Sequence, residues 1–269
     1  MPVVDRGDAQ IWWEAEGEGE PLLLIMGLGY SSDMWWRLLP ELTPRFRTIR
    51  FDNRGVGRTG VPEGPYSVAT MAADALAVLD AAGESSAHVL GVSMGGFIAQ
   101  EVVLTAPERV RSLILGCTAT GGPEMVAAEP AAMEMAASRA TMSPEEAAEV
   151  AIPFVYAKGT PRSVIDEDFA VRLQVPTTPE GYANQLAGVV AWGAGEGVGA
   201  ARLSAIDVPT LILQGDEDRL VNPANAPVLA GAIAGSELVV LEGASHIFFS
   251  DQPEAAAKAI AAFLDRQTA

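Results

Sequence analysis

Residues 91–95 read GVSMG, so that Ser93 has a glycine two positions away on either side. Ser93 follows a short apolar run at 87–92 and precedes a helical pattern at 97–105. A sharp turn from a strand into a helix needs glycines where the backbone crowds, and it leaves the serine hydroxyl exposed. The helix dipole then favours the negative charge of an acyl-transfer intermediate. This context predicts that Ser93 is a nucleophile.

A base for this serine must come from the two histidines of the chain, His88 and His246. Histidine suits proton transfer near neutral pH, and a serine hydroxyl is a weak nucleophile without such a base. His88 lies upstream on the predicted strand that leads to Ser93, so it cannot fold back onto the hydroxyl and is expected to be structural. His246 follows a predicted strand at 238–241, at the edge where parallel sheets place their sites. His246 is therefore the expected base.

A carboxylate should orient the histidine ring. The loop 215–221 follows a predicted strand at 209–214 and contains Asp216, Glu217 and Asp218. The loop after the predicted strand at 111–116 has no carboxylate before Glu124, so the acid is expected in 215–221. Its position between the serine and the histidine in chain order also fits a serine hydrolase with a parallel sheet.

Two backbone N–H groups should stabilise the oxyanion that forms during acyl transfer. One is expected from Met94, the residue after the nucleophile. The other is expected from the sequence MGLG at 26–29, which follows a buried apolar run at 21–26, and Leu28 is the predicted donor.

A second glycine-rich stretch, GVGRTG at 55–60, matches the spacing of a dinucleotide-binding loop. Such a loop must open a helix, but VPEGP follows at 61–65 and cannot be helical. We therefore expect no cofactor. The single cysteine and two histidines form no cluster with metal-ligand spacing, so no metal site is expected either.

Strand-like and helical patterns alternate over most of the chain, which predicts an α/β protein with a mostly parallel sheet. The predicted strands are 10–16, 21–26, 46–51, 87–92, 111–116, 209–214 and 238–241, and the predicted helices are 34–42, 68–82, 97–105, 224–234 and 253–266. Strand-like runs are absent from 121–204, where helix starts appear at 143–146 and 178–180, before a glycine-rich loop at 193–199. The predicted organisation is a core at 1–120, a helical insertion at 121–204 and a second core part at 205–269.

Composition narrows the choice of partner. The 269 residues carry a formal net charge of -18, which disfavours nucleic acids and anionic membranes as partners. No apolar stretch is long enough for a membrane span and no signal peptide is evident, so neither a membrane nor a secretory pathway is expected. With Cys117 as its only cysteine, the chain is expected in the cytoplasm, acting on a small molecule, while its oligomeric state stays open.

The segments 26–29, 51–58, 91–96, 215–218 and 243–246 together resemble the α/β-hydrolase superfamily over nearly the whole chain. The resemblance implies an eight-stranded, mostly parallel sheet with a helical cap after the sixth strand. It also implies that Asp218 is the acid, with Asp216 as the alternative. Because the nucleophile is a serine, the chain looks most similar to small carboxylesterases, enol-lactonases and aclacinomycin-type methylesterases.

These features predict hydrolysis of a carboxylic ester or lactone of a small, largely apolar substrate, through an acyl-enzyme on Ser93. The alternatives are a carbon–carbon bond hydrolase of a vinylogous diketone, a cofactor-free haloperoxidase or perhydrolase, and a ligand receptor with a vestigial triad. Met and aromatic side chains of the insertion suggest an adaptable apolar pocket, although each could equally pack the helices. The candidate lining residues are Met125, Phe154, Tyr156 and Trp192.

Overall fold

The computed structural model describes residues 2–196 and 199–267, and its strands form one eight-stranded sheet. The spatial order is β1-β2-β4-β3-β5-β6-β7-β8. Strand β2 pairs antiparallel with β1 and β4, and the other neighbouring strands pair in parallel. The strands are β1 (Val3–Asp5), β2 (Gln10–Glu16), β3 (Glu20–Ile25), β4 (Phe46–Phe51), β5 (Ala87–Val92), β6 (Val110–Gly116), β7 (Thr210–Gly215) and β8 (Glu237–Leu241). The predicted α/β class and the eight-stranded, mostly parallel sheet are confirmed.

Seven of these strands agree with the apolar patterns to within a residue at each end, and β1 is the strand that no pattern predicted. It has only three residues and pairs with β2 through Val3 and Trp12. A three-residue strand is too short to display the alternation by which an edge strand is recognised.

Twelve α-helices accompany the sheet in the described residues. They are α1 (Leu39–Leu42), α2 (Val68–Ala81), α3 (Met94–Thr105), α4 (Pro130–Ser138), α5 (Pro144–Glu149), α6 (Ile152–Val155), α7 (Arg162–Arg172), α8 (Pro179–Ala191), α9 (Ala200–Leu203), α10 (Asn225–Ala232), α11 (Phe248–Asp251) and α12 (Pro253–Asp265). The prediction of one helix at 34–42 was wrong, because a 3-10 turn (Ser32–Arg37) and the short α1 share that stretch. Pro40 has no N–H to donate to the carbonyl of Trp36, which interrupts a continuous helix. Among the described residues, no helix has both the length and the apolar character to cross a membrane.

The sheet is buried on both faces, as a run of apolar residues without alternation predicts. In β3, Leu23 and Ile25 join the apolar cluster on one face, whereas Leu22 and Leu24 join the cluster on the other. All four side chains are fully buried. Apolar packing on both faces holds the sheet in place, and it thereby positions the edge at which the parallel strands end.

The chain between β6 and β7, residues 117–209, is here called the inserted segment. It contains α4 to α9 and no strand in its described part. It contacts the loops that follow the parallel strands, for example where the Ile247 N–H donates to the carbonyl of Val155 at 2.9 Å. The predicted loop at 193–199 begins instead as a π-helical turn (Trp192–Glu196), and residues 197 and 198 lie outside the described residues. The domain boundaries at 121 and 204 stay predictions.

The glycine-rich stretch 55–60 wraps around a buried carboxylate. A short 3-10 turn (Gly57–Thr59) replaces the helix that a dinucleotide site requires. A Cβ at Gly57 would lie 2.2 Å from Asp52 Oδ2, so only glycine allows this approach. Asp52 accepts hydrogen bonds from the N–H of Ser32 at 2.8 Å and from the N–H of Arg58 at 2.9 Å. Close packing of the loop on Asp52 therefore explains the glycine at position 57.

A buried ion pair joins the loop after β4 to α2. Arg54 donates to both carboxylate oxygens of Asp74, at 2.7 and 2.9 Å, and both side chains are almost fully buried. Without Asp74, the buried Arg54 charge keeps only Asp8 as a partner, and that side chain is 57% exposed. We therefore expect Asp74→Ala to lower the free energy of unfolding by about 3–5 kcal/mol.

Urea denaturation followed by tryptophan fluorescence measures this loss. Asp80→Ala is the matched control, since Asp80 also lies on α2 and pairs with an arginine, Arg109, but its side chain is 67% exposed. It should change stability by less than about 1 kcal/mol. Equal losses in the two variants would contradict the assignment of the Arg54–Asp74 pair as a major stabilising contact.

Candidate active site

Ser93 lies at the junction of β5 and α3 in a strained backbone conformation. Its φ is 58° and its ψ is -122°, which is uncommon for a residue with a side chain. The turn is held by hydrogen bonds from the Ser93 N–H to the carbonyl of Gly116 at 2.9 Å and from Thr118 Oγ1 to the carbonyl of Ser93 at 2.8 Å. The strand-to-helix context that the sequence indicated is therefore present.

The glycines around Ser93 allow segments of backbone to meet. A Cβ at Gly91 would lie 2.1 Å from the carbonyl oxygen of Gly95, and a Cβ at Gly95 would lie 2.1 Å from the carbonyl oxygen of Ile25. Both separations are far below any van der Waals contact, so side chains at these positions would disrupt the turn. The two glycines of the motif are thus explained by the shape that presents the serine.

His246 and Asp218 form a buried hydrogen-bonded pair. His246 Nδ1 lies 2.9 Å from Asp218 Oδ2, and the two residues are 4% and 3% exposed. A carboxylate only accepts hydrogen bonds, so Nδ1 is the donor, and in the neutral imidazole Nε2 then keeps a lone pair. The other oxygen, Oδ1, accepts the N–H groups of Leu220 and Val221, both at 2.9 Å. The carboxylate is therefore fixed, and it fixes the orientation of the imidazole ring.

The other acids of the 215–221 loop have different partners. Asp216 is exposed, and its Oδ1 accepts the N–H of Gly243 at 2.8 Å. Glu217 accepts the N–H of Lys158 at 2.9 Å. Of the three acids in this loop, Asp218, which the resemblance implied, is the one in contact with His246.

Cys117 connects the serine side of the site to the histidine side. It directly follows Gly116, whose carbonyl accepts the Ser93 N–H. The Cys117 Sγ, a carboxylate oxygen of Asp218 and a ring nitrogen of His246 all lie within 4.8 Å of one another. Strands β5 to β8 are consecutive neighbours in the sheet. The loops that carry Ser93, Asp218 and His246 therefore meet at one edge.

This group is also a set of three metal-capable side chains, which sequence spacing did not reveal. Zinc binds cysteine as thiolate. Burial raises the pKa of the Cys117 thiol well above its ordinary value, and the charge of Asp218 raises it further. Because the thiol stays neutral and Asp218 is engaged with His246, the donor set does not fit a zinc ion. The absence of a metal stays a prediction.

The loop after β3 lies against the nucleophile. A Cβ at Gly27 would lie 3.1 Å from Ser93 Cβ and 3.6 Å from Ser93 Oγ. The next residue, Leu28, is the predicted oxyanion donor. Met94, the other predicted donor, is the first residue of α3, so its N–H has no acceptor within the helix. Met94 is bonded directly to Ser93, and Leu28 follows the glycine that contacts it, while their role as oxyanion donors stays a prediction.

The inserted segment holds this loop at Gly29. The Gly29 N–H donates to Gln185 Oε1 at 2.9 Å, and Thr177 Oγ1 donates to the Gly29 carbonyl at 3.0 Å. Gln185 Nε2 also donates to the carbonyl of Arg54 at 2.8 Å. The fully buried Gln185 thus ties the loop after β3 to the loop after β4.

His88 makes structural hydrogen bonds within the sheet, as its position in a strand predicted. It is fully buried, with Nδ1 2.8 Å from Ser112 Oγ and Nε2 2.9 Å from Glu20 Oε2. Burial lowers the pKa of His88, and the hydrogen bond to Glu20 opposes this effect. Both ring nitrogens are engaged away from the serine.

The four predicted pocket residues have different surroundings. Trp192 stacks on Phe97 with ring centroids 5.6 Å apart and donates from Nε1 to the carbonyl of Thr120. Met125 packs against the apolar cluster on one face of the sheet, which includes Phe97 and Trp192. Phe154 is half-buried, with the Arg219 guanidinium 4.9 Å from its ring centre. Their contact with substrate stays a prediction.

Tyr156 lines an open cleft between the inserted segment and the 215–221 loop. The cleft has a volume of about 1060 Å³ including its mouth, and Asp218 lies in its wall. The Tyr156 hydroxyl donates to Asp168 Oδ2 at 3.0 Å. Burial and the charge of Asp168 raise the pKa of Tyr156, so its hydroxyl stays protonated.

Three residues that position the site were missed by sequence reasoning. Thr118 holds the turn of Ser93, Gln185 holds the loop of Leu28, and Gln214 Nε2 lies 3.4 Å from Asp218 Oδ2. Each is a single polar residue, and two of them contact partners 25 and 156 positions away. No local pattern in the sequence could have identified them.

Comparisons with known proteins agree with the fold. A model of the alpha/beta hydrolase fold matches residues 20–253. The "Putative carbamate hydrolase RutD" of Azorhizobium caulinodans is 32% identical over 262 residues, and the match covers 94% of each chain.

Two solved structures are similar over nearly the whole chain. The enol-lactonase from Burkholderia xenovorans LB400 superposes with a TM-score of 0.85 at 25% identity, covering 98% of this chain and 100% of its own. A thermophilic esterase from Thermogutta terrifontis gives 0.84 at 29% identity, covering 98% and 96%. The chain therefore belongs to the α/β-hydrolase family and is an enzyme of that hydrolase class.

Proposed function

We propose that this hydrolase cleaves a carboxylic ester or lactone through an acyl-enzyme on Ser93. The observation that carries the proposal is the buried His246–Asp218 pair, 2.9 Å apart, at the edge of the sheet where Ser93 is presented. Because Nδ1 of His246 donates to Asp218, Nε2 is free to take the proton of the serine hydroxyl. A nucleophile, an oriented base and an acid are the groups that acyl transfer requires.

In the proposed reaction, Ser93 Oγ attacks the carbonyl carbon while His246 Nε2 accepts the hydroxyl proton. The tetrahedral oxyanion is stabilised by the N–H groups of Leu28 and Met94. His246 then donates the proton to the leaving alkoxide, which completes the acyl-enzyme. Water attacks this ester with His246 again as base, which releases the acid and restores Ser93.

Specificity for esters and lactones is supported by the relatives and by the surroundings of the serine. The enol-lactonase and the esterase share the fold over nearly the entire chain. Leu28 and Met125 pack against the apolar cluster that includes the buried Met94 and Trp192, which favours a small, largely apolar acyl group. We propose that the inserted segment is a cap over this site, with its boundaries near residues 121 and 204.

A substrate panel tests the proposal. We expect p-nitrophenyl esters of short and medium acyl chains, or aliphatic lactones, to be hydrolysed with a kcat/KM at least 100-fold above that for the matched carbamates and for a ring-cleavage dienoate. A burst of p-nitrophenol, equal in amount to the enzyme, is expected wherever release of the acyl group limits turnover.

The panel also distinguishes the other reactions of this fold. Turnover of the dienoate with no hydrolysis of any ester or lactone would contradict the proposal and favour carbon–carbon bond cleavage. Turnover of carbamates alone would contradict it as well. Binding of an ester without turnover would favour a receptor with a vestigial triad.

A further inference from the structure

Two arginines of the inserted segment are buried without a carboxylate partner. Arg139 is 3% exposed and Arg172 is 8% exposed. Every other arginine of the chain lies within 4.0 Å of a carboxylate oxygen. Arg139 and Arg172 form no such pair with any of the described residues, although the chain has 35 acidic side chains to 17 basic ones. Of the three buried arginines in the described residues, Arg54 is paired with carboxylates, and Arg139 and Arg172 are the two that are not.

Aromatic rings surround these two guanidinium groups. Arg172 lies 4.6 Å from the ring centre of Tyr30, and Arg139 lies 4.6 Å from that of Tyr182 and 5.8 Å from that of Tyr30. Ring faces attract a cation but do not satisfy its five N–H donors. Arg139 Nε is buried without a hydrogen-bond acceptor among the described residues. Burial raises the pKa of Tyr182, so its neutral hydroxyl supplies no counter-charge.

The two positive charges also act on each other. Burial lowers the pKa of Arg172, and the charge of Arg139 adds to this effect. A buried charge without a partner destabilises the folded protein, and a second charge of like sign nearby adds to the destabilisation. An anion placed between them would offset both costs.

Arg139 and Arg172 line the same narrow cavity of about 320 Å³, including its opening to solvent. Thr178 and Pro179, at the N-terminus of the 13-residue helix α8, form another part of its wall. The positive end of the helix dipole therefore lies at the wall of the cavity that the two arginines line.

We propose that Arg139 and Arg172 bind a carboxylate or phosphate group in this cavity. The planar guanidinium matches such groups with paired hydrogen bonds. Gly29 also lines the cavity, and a Cβ there would lie 3.5 Å from Arg139 Nη2. Since Gly29 directly follows Leu28, the bound anion lies beside the loop that approaches Ser93. The anion is either an acidic group of the substrate or a free ion, and its binding does not rest on the proposed reaction.

Binding is tested first without catalysis, on the full-length protein carrying Ser93→Ala. Isothermal calorimetry and thermal unfolding are measured with inorganic phosphate, acetate and succinate, against sodium chloride at equal ionic strength. We expect at least one oxyanion to bind and to raise the unfolding temperature by several degrees, whereas chloride does not.

Variants then locate the bound anion. Arg139→Gln and Arg172→Gln should each weaken binding on the order of 10- to 100-fold, because each removes charge-assisted hydrogen bonds. Arg162→Gln is the matched control, since Arg162 lies on α7 with Arg172 but is exposed and paired with Glu149 and Asp166. It should leave binding unchanged. If a Gln variant fails to fold, Arg→Lys at the same position provides the test, and it should bind less tightly than wild type because the planar fork is lost.

The source of the anion is determined by kinetics of the enzyme with Ser93 intact. p-Nitrophenyl hexanoate is compared with the mono-p-nitrophenyl ester of adipic acid, which adds a terminal carboxylate. A rise in KM for the acidic ester alone in Arg139→Gln and Arg172→Gln supports a substrate carboxylate, whereas loss of phosphate binding with unchanged kinetics supports a free anion. The proposal is overturned if no oxyanion binds more tightly than chloride, or if binding persists unchanged in the Arg139→Gln/Arg172→Gln double variant.

Discussion

Ser93→Ala is expected to reduce kcat/KM for the best ester or lactone by about 10⁴-fold or more. The substitution removes the hydroxyl that would form the acyl-enzyme, and only the binding and oxyanion contributions to catalysis would remain. Steady-state hydrolysis measures the loss. Treatment with a fluorophosphonate followed by intact-mass spectrometry provides a second readout, with one adduct expected on the wild type and none on the variant.

Folding should not be affected by this change. Alanine keeps the Cβ, and the contacts that hold the turn, from Gly116 and Thr118, involve only the Ser93 backbone. Ser112→Ala is a suitable control, because Ser112 is also fully buried but bonds His88 on the neighbouring strand. We expect its activity to stay within a few-fold of wild type. A Ser93→Ala enzyme with wild-type rates would exclude the acyl-enzyme mechanism.

The geometry of Ser93 and His246 could be anticipated from the sequence because local constraints specify it. The glycines at 91 and 95 are needed by a backbone approach of 2.1 Å, and this steric demand shows directly in the spacing of the motif. His246 could be identified by elimination, since the only other histidine lies within the strand before the serine. The continuous apolar runs likewise predicted the buried parallel strands.

Features that depend on contacts between distant segments could not be anticipated. Three acids share the 215–221 loop, and the residue pattern alone did not separate them; the resemblance implied Asp218, and the structure shows Asp218 in contact with His246. Gln185 contacts Gly29 from 156 positions away, and Cys117 meets His246 only because the strands before them end at the same edge. The helix predicted at 34–42 failed for a local reason, since the missing N–H of Pro40 outweighs the apolar periodicity.

Asp218→Asn is expected to lower kcat by about 10⁴-fold while leaving the fold intact. The N–H groups of Leu220 and Val221 both donate to Asp218 Oδ1, so the asparagine side chain should keep its oxygen on that side. Its amide NH₂ would then face His246 Nδ1, which must accept instead of donate. The ring proton moves to Nε2, and the nitrogen facing the serine can no longer act as a base.

Asp216→Asn is the matched control, since Asp216 lies two residues earlier in the same loop and accepts one backbone N–H, from Gly243. Asparagine can accept that bond as well, so kcat should stay within a few-fold of wild type. Steady-state kinetics and thermal unfolding of both variants separate an effect on His246 from a loss of folding. A large loss of kcat in Asp216→Asn, with normal rates in Asp218→Asn, would assign the acid to Asp216 and contradict the role proposed for the Asp218–His246 hydrogen bond.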